Sequence, residues 1–301
     1  MTVKQPHFFC AIMFIFFSIF AIVMTKRLAI LMVMMLSLLS AWAYEGNMST
    51  HSAIANGGYP FWIYTPAGYN GTQPTPVIIF LHGKSLSGNN LQRVLRYGTL
   101  DAIKRGMTIP AIVIAPQTPG GWKPEKLNDL LEWTERNYKV DATRVYVLGM
   151  SMGGYGTMDF CGTYPHKLAA GMALCGGCYL KNVDPLGDIP LWIIHGTADR
   201  AVAVGESKKV VARLQEHHAD SRLRYDWLPG ASHGALARAF YLKDTYDWLF
   251  AHSLGDEGRP VMREIDIDNA ILKQAYSELR ELTRLVGEDD MSEDPTEYQG
   301  K

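Results

Sequence analysis

Residues 145–156 read Val145-Tyr-Val-Leu-Gly149-Met-Ser151-Met-Gly153-Gly154-Tyr155-Gly156, the order of residue types expected for a strand, a tight turn and a helix. The first four residues (VYVL) form a short apolar run, as in a strand buried on both faces of a parallel sheet. A G-x-S-x-G pentapeptide follows at once. In that setting the serine sits in a sharp, strained turn that lifts its hydroxyl above the sheet edge. Side chains beside it would strike the crossing backbone, and Gly149 and Gly153 have none. The helix behind the turn aims its first amides at any negative charge developing next to Ser151. The pentapeptide alone arises by chance; the preceding strand and the further Gly154 and Gly156 make it specific.

Similar apolar runs lie on either side. Residues 77–81 (VIIFL), 111–115 (AIVIA), 191–194 (LWII) and 223–228 (LRYDWL) read as strands, with a weaker one at 169–174. Residues 61–64 (FWIY) are expected to start the sheet as an antiparallel strand. Between the strands, helical spacing of apolar residues predicts helices over 91–104, 127–137, 206–217 and 235–250; in the second, Leu127, Leu130, Leu131 and Thr134 share one face. Strand–helix alternation implies right-handed crossovers and an α/β architecture: a mostly parallel central sheet flanked by helices.

A serine hydroxyl is a poor nucleophile until a base takes its proton. Among nine histidines, His233 is the best placed, in Gly230-Ala-Ser-His-Gly234 between the last strand and the last helical stretch. His51 lies in a polar N-terminal stretch, His166 in a loop, and His217 and His218 end a helix. The base needs an acid to hold its ring and stabilise its protonated form. Asp199, in His195-Gly-Thr-Ala-Asp199-Arg-Ala-Val202, follows the LWII strand at the correct edge. Asp188 precedes that strand, and Asp226 lies inside the last one. The expected constellation is therefore Ser151 as nucleophile, Asp199 as acid and His233 as base, in that chain order. An oxyanion site needs two backbone donors: the Met152 amide, and that of Lys84 or Ser85 in Leu81-His82-Gly83-Lys84-Ser85. His82 and His195, each in a His-Gly pair at a strand end, read as structural. No HExxH motif or His/Cys cluster has metal spacing, so no metal or other cofactor is expected.

The loop Pro116-Gln-Thr-Pro-Gly-Gly-Trp122 leaves the 111–115 strand at the same edge. Gln117, Trp122 and Tyr155 are the residues expected to line the substrate site, the two aromatic rings as stacking surfaces. Only residues 175–189 separate the strand after the nucleophile from the acid-bearing strand, too few for a helical cap.

Together LHGKS, GMSMGGYG, HGTADRAV and GASHG resemble the α/β-hydrolase superfamily. More narrowly they look like its secreted esterase branch, related to the dienelactone-hydrolase, esterase-D and phospholipase/carboxylesterase-like groups. The resemblance spans residues 60–250. It implies an α/β-hydrolase fold without a cap domain, a Ser151–His233–Asp199 triad and ester hydrolysis through an acyl-enzyme. It leaves the substrate open; short-chain or carbohydrate-linked acetyl and feruloyl esters suit an uncapped site. A serine peptidase of the prolyl-oligopeptidase-like type and a non-catalytic binding module are the alternatives. Relatives of the first type usually carry a large N-terminal propeller, and those of the second usually lose the nucleophile or the base.

The 301-residue chain is 48% apolar and 20% charged with a formal net charge of −1, a globular composition with no basic excess for nucleic acid. That charge is unevenly spread. Residues 1–43 carry Lys4, Lys26 and Arg27 and no acid. An apolar stretch closing in Ala41-Trp42-Ala43 reads as an export signal cleaved after Ala43, with an uncleaved membrane segment as the alternative. Residues 44–252 are expected to form the catalytic domain. Export would leave Cys161, Cys175 and Cys178, an odd number, so at least one is free or pairs between chains. Cys175-Gly-Gly-Cys178 lacks the surroundings of a redox or zinc motif. Asn47-Met-Ser and Asn70-Gly-Thr are glycosylation sequons, meaningful only in a eukaryotic host. Residues 253–301 are strongly acidic. A helix over 269–286, capped by Asp268, presents Leu272, Ala275, Leu279, Leu282 and Val286 as a seam that docks on the body or on a second copy. The tail beyond is expected to be disordered, and removal of everything after 253 to leave activity intact.

Overall fold

The computed structural model describes residues 46–54 and 58–286, with side chains described as far as 282. The export segment expected over 1–43 and the acidic end beyond 287 lie outside the described residues. No described helix is long and apolar enough to cross a membrane.

Eight strands form one sheet: β1 Asn47–His51, β2 Phe61–Thr65, β3 Thr75–Leu81, β4 Ile112–Pro116, β5 Val140–Met150, β6 Ala170–Leu174, β7 Leu191–Gly196 and β8 Leu223–Leu228. They lie in the order β1-β2-β4-β3-β5-β6-β7-β8. β1 pairs antiparallel with β2, and β2 with β4; every later pairing is parallel. The apolar runs locate seven of the strands. β1 (NMSTH) escapes sequence reading because it is a polar edge strand with no alternating pattern.

Helices cover the sheet: α1 Thr99–Lys104, α2 Pro124–Asn137, α3 Met152–Thr163, α4 Gly205–Glu216, α5 Lys243–Phe250 and α6 Asn269–Val286. The helix expected over 91–104 is two pieces, a 3-10 helix at Leu91–Arg96 and then α1. Gly98 separates them at φ +102, beside the Phe80 ring, in the region that only glycine enters freely. The stretch expected as one helix over 235–250 is likewise a 3-10 helix, Gly234–Tyr241, joined to α5 through an extended Leu242.

The period-two pleat divides the central strands between two cores. Ile78, Phe80, Tyr146, Leu148, Trp192 and Ile194 face one layer with Phe240 and Trp248. Val77, Ile79, Val145, Val147, Leu191 and Ile193 face the other with Leu127, Leu131 and Met158. Both faces are covered, so residues 77–81 of β3 and the inner half of β5 are buried and without charge. Truncating one of these side chains to Ala removes about 2–5 kcal/mol. Between β6 and β7 lies only a short 3-10 helix, Asp184–Asp188; no cap domain interrupts the sheet there.

The tail is part of this body. Leu272, Tyr276 and Leu279 of α6 are buried in the same core as Phe240 and Tyr241. Asp268 caps α6 as expected, its carboxylate accepting the Ile271 amide at 2.8 Å. Of the expected seam, Leu272 and Leu279 are buried against the body and Ala275 partly so, whereas Leu282 is exposed; Tyr276 takes its place in the contact.

Candidate active site

Parallel strands deliver their C-terminal ends to one edge, and the expected chemistry gathers there. Ser151 follows β5 directly with φ 59 and ψ −120, a conformation that a non-glycine residue adopts only under constraint. The constraint is visible on both sides. The Ser151 amide donates to the Leu174 carbonyl at 2.8 Å, and its own carbonyl accepts the Tyr155 amide at 3.0 Å. A Cβ on Gly153 would overlap the Leu81 carbonyl, and one on Gly149 would stand 2.5 Å from the Gly153 carbonyl oxygen. Strand, turn and helix are in van der Waals contact through backbone alone, which is why this turn needs its glycines.

The next two strands extend the linkage. Cys175, at the end of β6, donates its amide to Ile194 of β7 at 2.8 Å. β7 then leads into Asp199. One carboxylate oxygen of Asp199 accepts the amides of Ala201 and Val202 at 2.8 and 2.9 Å. The other accepts His233 Nδ1 at 2.6 Å, and His195 Nε2 stands 3.4 Å from the same oxygen. The Asp199 side chain is fully buried, and that of His233 is 25% exposed. Burial alone would raise the Asp199 pKa. The hydrogen bonds from His195, His233 and the Val202 amide outweigh it and hold the carboxyl well below the usual range. Asp199 is therefore ionised, and Nδ1 of His233 carries the hydrogen between them. The loops are tied together as well: Gly230 donates to Thr197 Oγ1 at 2.9 Å and Ala198 to the Ala231 carbonyl at 3.1 Å.

Among the described residues no hydrogen bond joins the Ser151 hydroxyl to His233. Nucleophile–base bonds are often long before substrate arrives and tighten in its complex. Cys175 Sγ, an Asp199 oxygen and a His233 nitrogen lie within 4.8 Å of one another, a group with metal-binding donor types. His233 Nδ1, however, is committed as a donor to Asp199, and burial raises the Cys175 thiol far above its ordinary pKa. The arrangement suits a hydrogen-bonded pair better than a metal centre.

The loop after β3 forms a 3-10 turn, Lys84–Leu86. Its first two amides, Lys84 and Ser85, have no hydrogen-bond partner among the described residues, nor does that of Met152 at the start of α3. Several side chains hold this loop. His82 Nδ1 donates to the Gly83 carbonyl at 2.7 Å, while its Nε2 accepts the Thr118 amide at 3.2 Å. Burial pushes the His82 pKa down to about 4, so the ring is neutral, as these two bonds require. The Tyr97 hydroxyl accepts the Gly83 amide at 3.0 Å, and Arg93 donates to the Ser85 carbonyl at 2.7 Å. Neither contact was visible in the sequence, because Arg93 and Tyr97 lie 8 and 14 residues along the chain from their partners, a separation with no local pattern to mark it.

Two of the residues expected to line the substrate site are buried. Gln117 is fully buried and spends its amide hydrogens on the Leu86 and Asn90 carbonyls, each at 2.8 Å. Trp122 is 8% exposed; its Nε1 donates to the His82 carbonyl at 3.2 Å and its ring packs edge-on against His82. Both brace the loop through these contacts. Tyr155 is half-buried, stacked on the exposed Tyr179 with centroids 4.6 Å apart, its hydroxyl 3.5 Å from Glu206. Burial first, then Glu206, pushes its pKa up to about 12. His195, read as structural, braces the loop of the acid: its Nδ1 meets Ser207 Oγ at 2.8 Å and its Nε2 donates to the Val202 carbonyl at 2.9 Å.

No family model matches the chain. Over 68 residues, 22% of each chain, it is 40% identical to acetylxylan esterase A of Emericella nidulans. Over 133 residues, 43% of this chain and 42% of the relative, it is 26% identical to a probable acetylxylan esterase A of Aspergillus clavatus. The match thus spans less than half the length of these relatives. Among solved structures, a thermostable esterase superposes with a TM-score of 0.58 at 24% identity, covering 71% of this chain and 64% of that one. The feruloyl esterase module of Clostridium thermocellum, solved with sinapinate, gives 0.50 at 18%, covering 67% and 87%. A putative dipeptidyl aminopeptidase IV of Bacteroides ovatus gives 0.51 at 16%, covering 69% and 36%. With this strand order, strand-to-helix turn and set of neighbours, the chain has the α/β-hydrolase fold.

Proposed function

We propose that the protein is a serine carboxylic-ester hydrolase using Ser151, His233 and Asp199. The observation that carries this reading is the 2.6 Å bond between His233 Nδ1 and a buried, ionised Asp199, at the sheet edge where Ser151 occupies its constrained turn. His233 Nε2 takes the Ser151 proton as Oγ attacks the ester carbonyl carbon. The oxyanion is held by the amide of Met152 and that of Lys84 or Ser85, and one such donor is worth roughly 10²–10³ in rate. Collapse of the tetrahedral intermediate breaks the bond to the alcohol, which leaves with the proton from His233. Water then repeats the sequence on the acyl-enzyme, releasing the acid and restoring Ser151.

The natural substrate on this reading is an acetyl or feruloyl ester carried on a carbohydrate. Similarity to acetylxylan esterases supports it, as does the uncapped connection between β6 and β7, which leaves room for a bulky alcohol. Export with cleavage after Ala43 places the enzyme where such polymers occur. The test is hydrolysis of p-nitrophenyl acetate, butyrate and octanoate, with Ser151→Ala alongside, followed by acetylated and feruloylated xylan. Rates that fall with acyl length and vanish in Ser151→Ala are expected. An inert wild type, or a fully active Ser151→Ala, would overturn the esterase reading, and cleavage of dipeptide amides in preference to esters would replace it with a peptidase.

A further inference from the structure

We infer that residues 259–286 act as a clasp that positions His233, so that the tail belongs to the catalytic apparatus. The inference rests on reading Ser151, His233 and Asp199 as the triad.

The tail starts at the N-terminal edge of the sheet. There the Arg259 guanidinium donates to the carbonyls of Asp188 at 2.7 Å, Leu168 at 2.5 Å and Ala169 at 3.0 Å. It then climbs beside β8 and α5. Trp248 Nε1 donates to the Met262 carbonyl at 2.9 Å, the Met262 amide to His252 Nε2 at 3.0 Å, and Arg224 of β8 to the Ile265 carbonyl. At the C-terminal edge Asn269 Nδ2 donates to the Pro229 carbonyl at 2.9 Å. Pro229 opens the loop Pro229-Gly-Ala-Ser-His233, so this bond fixes the chain just upstream of the histidine.

The downstream side is held by the body of α6. His233 is followed by the 3-10 helix Gly234–Tyr241, whose Phe240 and Tyr241 share a core with Leu272, Tyr276 and Leu279. The rings of Tyr241 and Tyr276 meet edge to face at 4.9 Å. The Arg105 guanidinium lies 5.8 Å from each ring centroid and pairs with Asp101 at 2.8 Å. Asp101 in turn accepts the Tyr241 hydroxyl at 2.6 Å. The segment after His233 is thus wedged between α1 and α6, and the segment before it is tied to the first residue of α6. A 3-10 helix of eight residues has little stability of its own, so its placement depends on these neighbours. Displacing a catalytic group by about 1 Å can cost on the order of 10²-fold in rate.

The experiment uses the full chain and p-nitrophenyl acetate, comparing wild type, Ser151→Ala, Asn269→Ala, Asn269→Gln and Leu272→Ala. Asn269→Ala is expected to lower kcat roughly tenfold with KM unchanged and with the thermal midpoint within a few degrees of wild type. Asn269→Gln keeps the donor and should recover most of the loss. Leu272→Ala should lower kcat further, together with faster amide exchange over residues 229–241. In an Asp199→Asn background, where His233 has lost its anchor, Asn269→Ala should have little further effect, since groups acting as one unit are not additive. Wild-type kcat in folded Asn269→Ala and Leu272→Ala would overturn the clasp, as would losses that multiply in the Asp199→Asn background. An inert wild type or an active Ser151→Ala would overturn the triad reading itself, and the clasp with it.

Discussion

The His233 ring meets Asp199 through a single short contact, Nδ1 to Oδ2 at 2.6 Å, with the carboxylate fully buried and the ring partly open to solvent. This geometry sets which ring nitrogen keeps its proton. Asp199→Asn presents an amide in place of the acceptor and favours the wrong tautomer. The expected result is a fall of roughly 10³–10⁴ in kcat with little change in KM, read from steady-state ester hydrolysis. A variant retaining a tenth or more of the wild-type rate would remove Asp199 from the mechanism.

His82 is buried and neutral, its pKa held down to about 4 against an ordinary value of 6.5 by the loss of solvent. Between those two values the unfolded chain binds a proton that the native state refuses. Stability therefore declines as pH falls from 6.5 toward 4, by up to about 3 kcal/mol from this residue. Urea unfolding at pH 7 and pH 4.5 should show that loss, with a smaller difference in His82→Asn. An equal difference in the variant would assign the acid sensitivity elsewhere.

Gly153 has no space for a methyl group, because its Cβ would overlap the Leu81 carbonyl, backbone that cannot step aside. Gly153→Ala must push the first turn of α3 away from β3 and carry Ser151 with it. A loss of at least about 3 kcal/mol, or failure to accumulate as folded protein, is expected. Differential scanning calorimetry and soluble yield read this directly; a wild-type midpoint with wild-type activity would contradict the packing described for the turn.

The thiols of Cys161, Cys175 and Cys178 are free. Burial raises all three pKa values, that of Cys178 up to about 12, and the thiolate is the reactive form. Native protein at pH 8 should therefore react with a colorimetric disulfide reagent only very slowly at these positions, and all three should label in denaturant. Dithiothreitol should leave the thermal midpoint unchanged. Rapid labelling of native Cys175 would show that this fully buried position opens to solvent.

Much of this arrangement is written locally. The seven apolar strands, the turn at Ser151, the loops holding Asp199 and His233, and the Asp268-capped helix over 269–286 all follow from periodicity, capping and turn chemistry within a few residues. Those are short-range physical preferences, and they survive in any context that buries the sheet. The placement of Gln117 and Trp122 against the loop after β3 was not legible in this way, since an amide or an indole at a strand end suits a cleft or a core equally well.

The amino-acid sequence by itself determined the α/β alternation, the three residues of the proposed triad and their common sheet edge. Only the tertiary structure decided what supports them: His195 against Asp199, Tyr97 and Arg93 on the loop after β3, and the tail closing over the segment that carries His233. The reason is separation along the chain. The Tyr241 hydroxyl reaches Asp101 across 140 residues, and no local pattern marks either as the partner of the other until both cores have packed.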